Sequence, residues 1–374
     1  MKTLRIFPLI ALLSTLVFVA CEKDDEPEDP SDEVNFDRQS LLTDLSEQVK
    51  NSYINFDNSL EELNSQLSAF NDDVNTQNLE NLRTAWSNAL LEWQAVAPYQ
   101  FGLASNLIME ESSNTFPTDV DQINGNISSG SYNLDAPTNL DATGFQAMDY
   151  LLHGIANTDA DIVDLYANDA LASNRLDYLN TIADQLNEKT DLLVADWESG
   201  SSSVTDFIAN DGIDNGSSLG LFLNSWIQSY EAITRTNKLG TPAGALTFSM
   251  IPQPQTVEAL YENDNSVAYL VQSVADNKSI YMGSNPEDVS FDTYLRELNA
   301  MHNGELLADV IVAQFEVAEN SLSQLQDPLS EFVVNEQMTA LEVFAELQDL
   351  VTLLKTDMMS SFAIEVTYVD TDGD

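Results

Sequence analysis

The chain has 374 residues, of which 13 are Lys or Arg and 62 are Asp or Glu, giving a formal net charge of −49 at pH 7. This balance argues against a nucleic-acid-binding protein, because affinity for nucleic acids depends mainly on Lys and Arg at phosphates. It equally disfavours adsorption to an anionic lipid surface. Cys21 is the only cysteine, so an internal disulfide is excluded.

The N-terminus predicts a signal peptide over residues 1–20. Lys2 and Arg5 precede an apolar run that ends at Cys21, and this run is shorter than the roughly 20 apolar residues of a membrane-spanning helix. The sequence "FVAC" resembles a lipoprotein signal box, in which Cys21 becomes the lipidated first residue of the mature chain. The alternative is an ordinary secretory signal that happens to precede a cysteine.

Residues 21–35 are predicted to form an acidic, disordered tether. The stretch "EKDDEPEDPSDE" has eight acids among twelve residues and no large apolar side chain, so it cannot bury enough surface to become ordered. It resembles the short acidic signal that sends some Gram-negative lipoproteins to the outer face of the outer membrane, although it could also be a plain spacer. We therefore expect an envelope protein attached to the outer membrane by lipid on Cys21, facing either the surface or the periplasm.

The remaining sequence predicts an all-α fold of two helical bundles with little or no β structure. In the first bundle, residues 36–200, apolar side chains recur every three or four residues from Leu42 to Phe70, from Leu79 to Trp93 and from Leu176 to Trp197. Pro98 is expected to stop the second of these helices. A weak repeat of Trp-containing helices in the two halves suggests duplication.

A flexible linker is predicted over residues 201–217, which are rich in Gly, Ser, Asn and Asp. A second bundle is expected over 218–374, with a loop at "KLGTPAG", helical seams from about Tyr294 to Leu325 and from Val334 to Phe362, and a polar C-terminal tail. The fragment "AIEVTYVD", residues 363–370, is the only strand-like stretch. The tail "DTDGD" mimics the start of a calcium loop but lacks the closing Glu.

Few residues offer catalytic chemistry. The chain lacks H-E-x-x-H, a phosphate-binding glycine loop and a dinucleotide fingerprint, and it contains only two histidines, His153 and His302. Nucleophilic catalysis is therefore disfavoured. His302 and Glu305 are spaced as a surface pair on a helix.

A candidate metal site lies in "GFQAMDYLLHG", residues 144–154. Gln146, Asp149 and His153 are three and four residues apart, which places their side chains on one face of a helix. Oxygen and nitrogen donors on that face could hold a cation if other helices supplied more ligands. The alternative is that these polar groups only satisfy helix ends and buried backbone.

The same stretch resembles the signature segment of the imelysin-like family, Gly-x-His-x-x-Glu followed by an aromatic residue, two leucines and an aromatic-Gly pair. "NKLGTPAGAL" is similar to a second family stretch, and residues 354–374 are close to the usual ending of lipoprotein members, so the resemblance spans about 36–374. The matching motif residues are Gly144 and Gly154 in the first stretch and Lys238, Gly240, Pro242 and Gly244 in the second.

This resemblance implies two bundle-like helical halves, export or lipid anchoring, and an association with iron uptake, besides an old peptidase label. The chain departs from the signature at two positions, because Gln146 replaces the His and Asp149 replaces the Glu. Such a site is weakened or retuned toward harder cations. We hypothesise that His153, one turn further on, replaces the lost imidazole.

Three functions follow. The first is a non-enzymatic lipoprotein that binds iron or another divalent cation and works with outer-membrane transport components. The second is an interaction module that docks on an outer-membrane receptor without a metal. The third, which the residues favour least, is a metallopeptidase.

Overall fold

Phe36 begins the part of the chain that the structure, a computed structural model, describes: residues 36–263 and 265–368. These residues belong to one compact unit that starts at Phe36. The predicted signal peptide, the predicted lipidation site Cys21, the predicted acidic tether and the "DTDGD" tail lie outside the described residues.

Two long helices form the first half of the fold. Helix α1, Arg38–Asp72, begins at Asp37, whose side chain accepts a hydrogen bond from the Ser40 amide, and every predicted seam position from Leu42 to Phe70 is buried. Helix α2, Thr76–Val96, ends just before Pro98 as expected. The connection of only three residues makes α2 return antiparallel along α1, so the two seams face each other.

Shorter helices complete this half around α1 and α2. Helix α6 packs against α2 and α8, and α8 packs along α1. The remaining helices of this half are α3 Leu103–Asn106, α4 Met109–Ser113, α5 Val120–Ser129, α6 Gly144–Asp149 with a π-helical turn Tyr150–Gly154, α7 Asp159–Ala167, α8 Ala172–Asp196 and α9 Ser202–Ala209, with a 3₁₀ turn at Pro137–Asn139.

In the second half, α12, α14 and α16 pack together with the π-helical extension of α10. Its elements are α10 Ser218–Ser229 with a π-helical extension Tyr230–Gly240, α11 Thr241–Ala243, a 3₁₀ turn Pro254–Thr256, α12 Ser266–Met282, α13 Phe291–Glu297, strands β1 Met301–His302 and β2 Glu305–Leu306, α14 Leu307–Leu322, α15 Leu329–Asn335, α16 Gln337–Val351 with a π-helical extension Thr352–Met358, and α17 Met359–Ser361. The all-α prediction is confirmed. Helix α12 also packs against α2, which joins the halves.

Part of the predicted flexible linker is helical. Within residues 201–217, Ser201 caps helix α9 by accepting a hydrogen bond from the Val204 amide. Val204 and Phe207 are buried, and the Phe207 ring packs against those of Phe101 and Trp197. Two apolar side chains spaced three residues apart are enough to hold this short helix on the first half.

The predicted loop at "KLGTPAG" is also helical. The π-helical extension of α10 carries Lys238 and Gly240, and α11 continues it. Pro242, in the middle of α11, cannot donate the backbone hydrogen bond that would extend the helix, and the helix ends two residues later. Gly244 then ends the helix with a left-handed φ of 75°.

Two further expectations differ from the structure. The seam from Tyr294 to Leu325 is interrupted by a β-hairpin with Asn303 and Gly304 at its turn, both with positive φ, and His302 pairs across it with Glu305 instead of lying on a helix. The strand-like residues 363–368 join no sheet within the described ranges. Their backbone pairs instead with one side chain, because Asn224 donates to the Glu365 carbonyl and accepts from the Thr367 amide.

None of the helices built from residues 36–263 and 265–368 is both long and apolar enough to cross a lipid bilayer.

Candidate functional site

Gly144 fixes the start of the signature helix. Its φ is +69°, and a Cβ at this position would lie 2.2 Å from the Ser113 carbonyl oxygen at the end of α4. Only glycine combines this backbone conformation with so close an approach. The contact places α6 directly against α4, so that Gln146 of α6 reaches Asn114, the residue that follows α4.

Gln146 is buried, with both ends of its amide engaged. Its Nε2 donates to Asn114 Oδ1 at 2.8 Å, and its Oε1 accepts from the Ala259 amide at 2.8 Å. Asn114 lies in the first half and Ala259 in the second. The side chain at the position of the family's His therefore bridges the two halves.

Asp149 is 1% exposed and holds the same segment of the second half. Its Oδ2 accepts from the Tyr261 amide and its Oδ1 from the Glu262 amide, each at 2.8 Å. Ala259, within this segment, has a left-handed φ of 55°. Such a conformation is unfavourable for a residue other than glycine and persists only where the surroundings hold it, as Gln146 and Asp149 do here.

His153 lies one turn further on, in the π-helical turn that follows α6. Its Nδ1 is 3.1 Å from Asp149 Oδ1 and 3.2 Å from the Asp149 carbonyl, and its ring centroid is 5.3 Å from that of Trp86. These contacts orient the imidazole toward a cleft of 420 Å³ that Arg83 and Glu262 also line. The π-helical turn displaces His153 from the position that a regular helix would give it.

The second motif meets the first through a buried ion pair. The Lys238 ammonium contacts the Glu258 carboxylate, and both side chains are 2% exposed. Glu258 Oε1 also accepts from Asn114 Nδ2 at 2.7 Å. A continuous polar chain, Gln146–Asn114–Glu258–Lys238, thus links the two motifs, and burial lowers the pKa of Lys238.

The glycines of the second motif make close packing possible. A Cβ on Gly244, with its positive φ, would lie 2.4 Å from the Ile251 carbonyl oxygen, and one on Gly240 would lie 2.6 Å from the Phe344 ring. In the first motif, Gly154 lies similarly under the Tyr261 ring. Glycine at these motif positions thus allows neighbouring groups to approach the backbone more closely than a side chain would permit.

Two cavities adjoin this polar chain. Gln146 and Asp149 line one of 230 Å³, together with Phe116 and Tyr261. Phe116 also lines a larger cleft of 420 Å³, which we call the acidic cleft because Glu110 and Glu111 are among its walls. Burial raises the pKa of Glu110 to about 8, the Glu111 charge adds to the rise, and Lys238 opposes it.

The three predicted metal ligands come together, but the donor atoms of Gln146 and Asp149 are already engaged by the protein. Gln146 uses both ends of its amide, and each oxygen of Asp149 accepts a backbone hydrogen bond. Across the described residues, no three His, Cys, Asp or Glu side chains are grouped so that they could hold a metal ion. These three residues therefore do not fit the ligand sphere of a transition metal. They fit the role of an anchor for residues 259–262.

The sequence analysis missed Asn114, Glu258 and Glu110. The sequence did offer a reason to consider Glu258 as the partner of Lys238, because it is the first charged residue after that lysine in a strongly acidic chain. No local sequence pattern points to Asn114 or Glu110, since their roles depend on contacts with distant segments.

The two motifs lie within a stretch of the chain that matches one known protein family. The sequence model of the family described as Imelysin matches residues 49–356, most of the chain. The chain belongs to the imelysin family.

Two solved structures share its fold. One, from Parabacteroides distasonis ATCC 8503, is named as an iron-regulated protein A precursor; it has 17% identity and a TM-score of 0.67, with 87% of this chain and 95% of that chain covered. The other, an imelysin-like protein from Psychrobacter arcticum 273-4, has 16% identity and a TM-score of 0.64, with 88% and 97% covered. No functionally curated protein matches the chain.

Proposed function

We propose that this imelysin-family chain is a non-enzymatic binding protein of the cell envelope that takes part in iron uptake. The observation that carries the proposal is the polar chain from Gln146 to Lys238, which joins both motifs and forms a fixed wall beside two cavities. Gln146 and Asp149 are committed to hydrogen bonds within the protein, which suits a preorganised binding surface better than proton transfer. The name of the Parabacteroides protein, iron-regulated protein A precursor, supports the link to iron.

Iron, or another hard cation, is the cargo that we assign to the acidic cleft. Glu110 and Glu111 supply carboxylate oxygens there, and neighbouring amides such as Asn237 and Gln228 supply neutral ones. Oxygen donors of this kind suit hard cations. The net charge of −49 attracts cations to the whole surface. Because Glu110 keeps its proton up to about pH 8, cation binding must displace that proton and should weaken as the pH falls.

Calorimetric titration tests this assignment. Ferric nitrilotriacetate, ferrous, zinc and calcium ions are titrated into the wild-type protein and into Glu110→Gln, His153→Gln and Glu316→Gln, the last being an exposed carboxylate of α14 that serves as a control. We expect at least a tenfold loss of affinity in Glu110→Gln and none in Glu316→Gln. Loss confined to His153→Gln would return the cation to the predicted trio of Gln146, Asp149 and His153, and no binding of any ion would remove the cargo assignment.

Substitution of Cys21, the proposed lipidation site, tests attachment to the envelope. We expect the full-length protein to fractionate with the outer membrane and Cys21→Ala to be released in soluble form. Protease accessibility on intact cells then tells whether the anchored protein faces the surface or the periplasm. Membrane fractionation that is unchanged in Cys21→Ala would contradict a lipid anchor.

A second candidate, docking on an outer-membrane receptor, is favoured by one exposed apolar loop. Phe248 is fully exposed, Ile251 and Met250 lie beside it, and Gln337 pins the loop by donating to the carbonyls of Ala243 and Met250. A pinned loop with an exposed aromatic tip resembles the anchor residues of protein interfaces. Growth of the native host on limiting iron separates the candidates. Phe248→Ser should fail to complement a deletion if docking is the function, and Glu110→Gln should fail if cargo binding is.

The peptidase alternative predicts cleavage of unfolded casein when a divalent metal is added, because such catalysis needs a metal-bound water and a general base. We expect no cleavage with any metal.

A further inference from the structure

A second polar cavity lies away from both motifs, where α1 and α2 of the first half meet α12 of the second. Its volume is about 320 Å³. We call it the α12 cavity. Asp276, in its wall, comes ten residues after Ser266, the first residue of α12, and so lies about 15 Å along the helix from its start.

The walls of the α12 cavity are almost entirely hydrogen-bonding groups without positive charge. The described residues that line it are two carboxylates, four carboxamides, four hydroxyls and only two apolar side chains. The carboxylates are Glu92 on α2 and Asp276 on α12, and no Lys, Arg or His is among the lining residues that the structure describes. An anionic ligand is therefore disfavoured, whereas a ligand that brings positive charge and several N–H donors is favoured.

Asp276 has an unmet hydrogen-bonding requirement. Its Oδ1 accepts from Gln272 Nε2 at 2.9 Å, but its Oδ2 is buried and has no hydrogen-bond partner within residues 36–263 and 265–368. Burial raises the pKa of Asp276 to about 7, and the nearby Glu92 charge adds to the rise. A buried polar atom without a partner is costly, and native structures seldom keep one without a reason.

We propose that the α12 cavity binds a small organic cation that carries primary ammonium groups. One ammonium group offers three N–H donors to the carboxylates of Asp276 and Glu92, and the surrounding carboxamide and hydroxyl oxygens accept the rest. The volume is near the lower end of ligand pockets, which suits a molecule of modest size and exceeds what a bare metal ion needs. Because α1, α2 and α12 all contribute to the walls, such a ligand also joins the two halves.

The site is independent of the proposed iron cargo, so its test uses separate probes. The wild-type protein is titrated calorimetrically with 1,4-diaminobutane, with the neutral 1,4-butanediol and with the anionic succinate, three linear ligands of similar length. We expect binding of the diamine, at least tenfold weaker binding of the diol and no binding of succinate. Absence of diamine binding at millimolar concentration overturns the proposal.

Variants assign the binding to the cavity. Asp276→Asn and Glu92→Gln keep the side-chain shapes and should each weaken diamine binding at least tenfold, whereas Glu316→Gln on the surface of α14 should leave it unchanged. Circular dichroism confirms that each variant is folded. Equal diamine affinity in Asp276→Asn and the wild type overturns the site, and displacement of the diamine by micromolar calcium, with calcium affinity lost in Asp276→Asn, would reassign it to a metal ion.

Discussion

Lys238 and Glu258 form an ion pair in which each side chain is only 2% exposed. Removing one member of such a pair leaves an uncompensated charge in the interior, which typically costs about 3 to 5 kcal/mol. We therefore expect Lys238→Met and Glu258→Gln each to lower the free energy of unfolding by about that amount, and the double variant to lose less than the sum. Urea denaturation measures all three.

The control for this pair is the partly exposed ion pair between Lys278 and Glu319, whose side chains are 26% and 36% exposed. Lys278→Met should cost less than about 1 kcal/mol, because solvent screens such pairs. Equal effects at Lys238 and Lys278 would mean that the buried pair contributes no more than a surface pair.

Gly144 should tolerate no side chain. We expect Gly144→Ala to destabilise the protein by more than about 3 kcal/mol, because the positive φ costs about 1 to 2 kcal/mol and the Cβ would collide with the Ser113 carbonyl. Gly200 is the control. Its φ is +85°, but a Cβ there would meet nothing within 4 Å, so Gly200→Ala should incur only the conformational cost. Similar losses at the two positions would contradict a steric role for Gly144.

Asp149→Asn should loosen the segment that it anchors. The carboxylate accepts from two backbone amides, of Tyr261 and Glu262, and an asparagine side chain has only one oxygen with which to accept. Leaving one amide without a partner should cost about 1 to 3 kcal/mol. Hydrogen exchange should accelerate at residues 261 and 262, whereas the exposed Asp121→Asn should change neither stability nor exchange.

The raised pKa of Glu110 predicts that the free energy of unfolding depends on pH. Its pKa is raised from an ordinary value of 4.5 to about 8, so between these values the folded state holds a proton that the unfolded state has released. Its contribution to stability is therefore fully present below pH 4.5 and is lost as the pH rises toward 8. Glu110→Gln cannot ionise and should lose less stability than the wild type over this interval. Unfolding free energies measured from pH 5 to 8 test this. Parallel curves would contradict a raised pKa.

Helix packing could be predicted from local spacing, whereas the partners of the site could not. The buried seam from Leu42 to Phe70 and the end of α2 before Pro98 follow from periodicity and from the missing N–H of proline. The shared face of Gln146 and Asp149 follows from their spacing of three residues. Their partners, Ala259 and Tyr261, are more than 100 residues away in sequence, and no local pattern predicts that contact.

The spacing of His302 and Glu305 shows why one pattern can have two outcomes. A separation of three residues fits one face of a helix, and it equally fits opposite positions of a two-residue hairpin. The residues between them, Asn303 and Gly304, are the pair that such a hairpin turn prefers. The preference of Asn-Gly for a hairpin turn therefore determines that this stretch forms a hairpin. The helical periodicity of the residues on either side had instead favoured a continuous helix.

Asn224 gives the segment after α17 a role in completing the fold. Its side-chain amide forms hydrogen bonds with the backbone of Glu365 and Thr367. These two residues come after the last helix of the described chain. During synthesis, the buried Asn224 side-chain oxygen gains its partner, the Thr367 amide, only once residue 367 has been made, so the second half reaches its final packing only after almost the entire chain has emerged. An affinity tag or truncation that pulls residues 363–368 away should therefore slow maturation of this half while leaving the first half able to form.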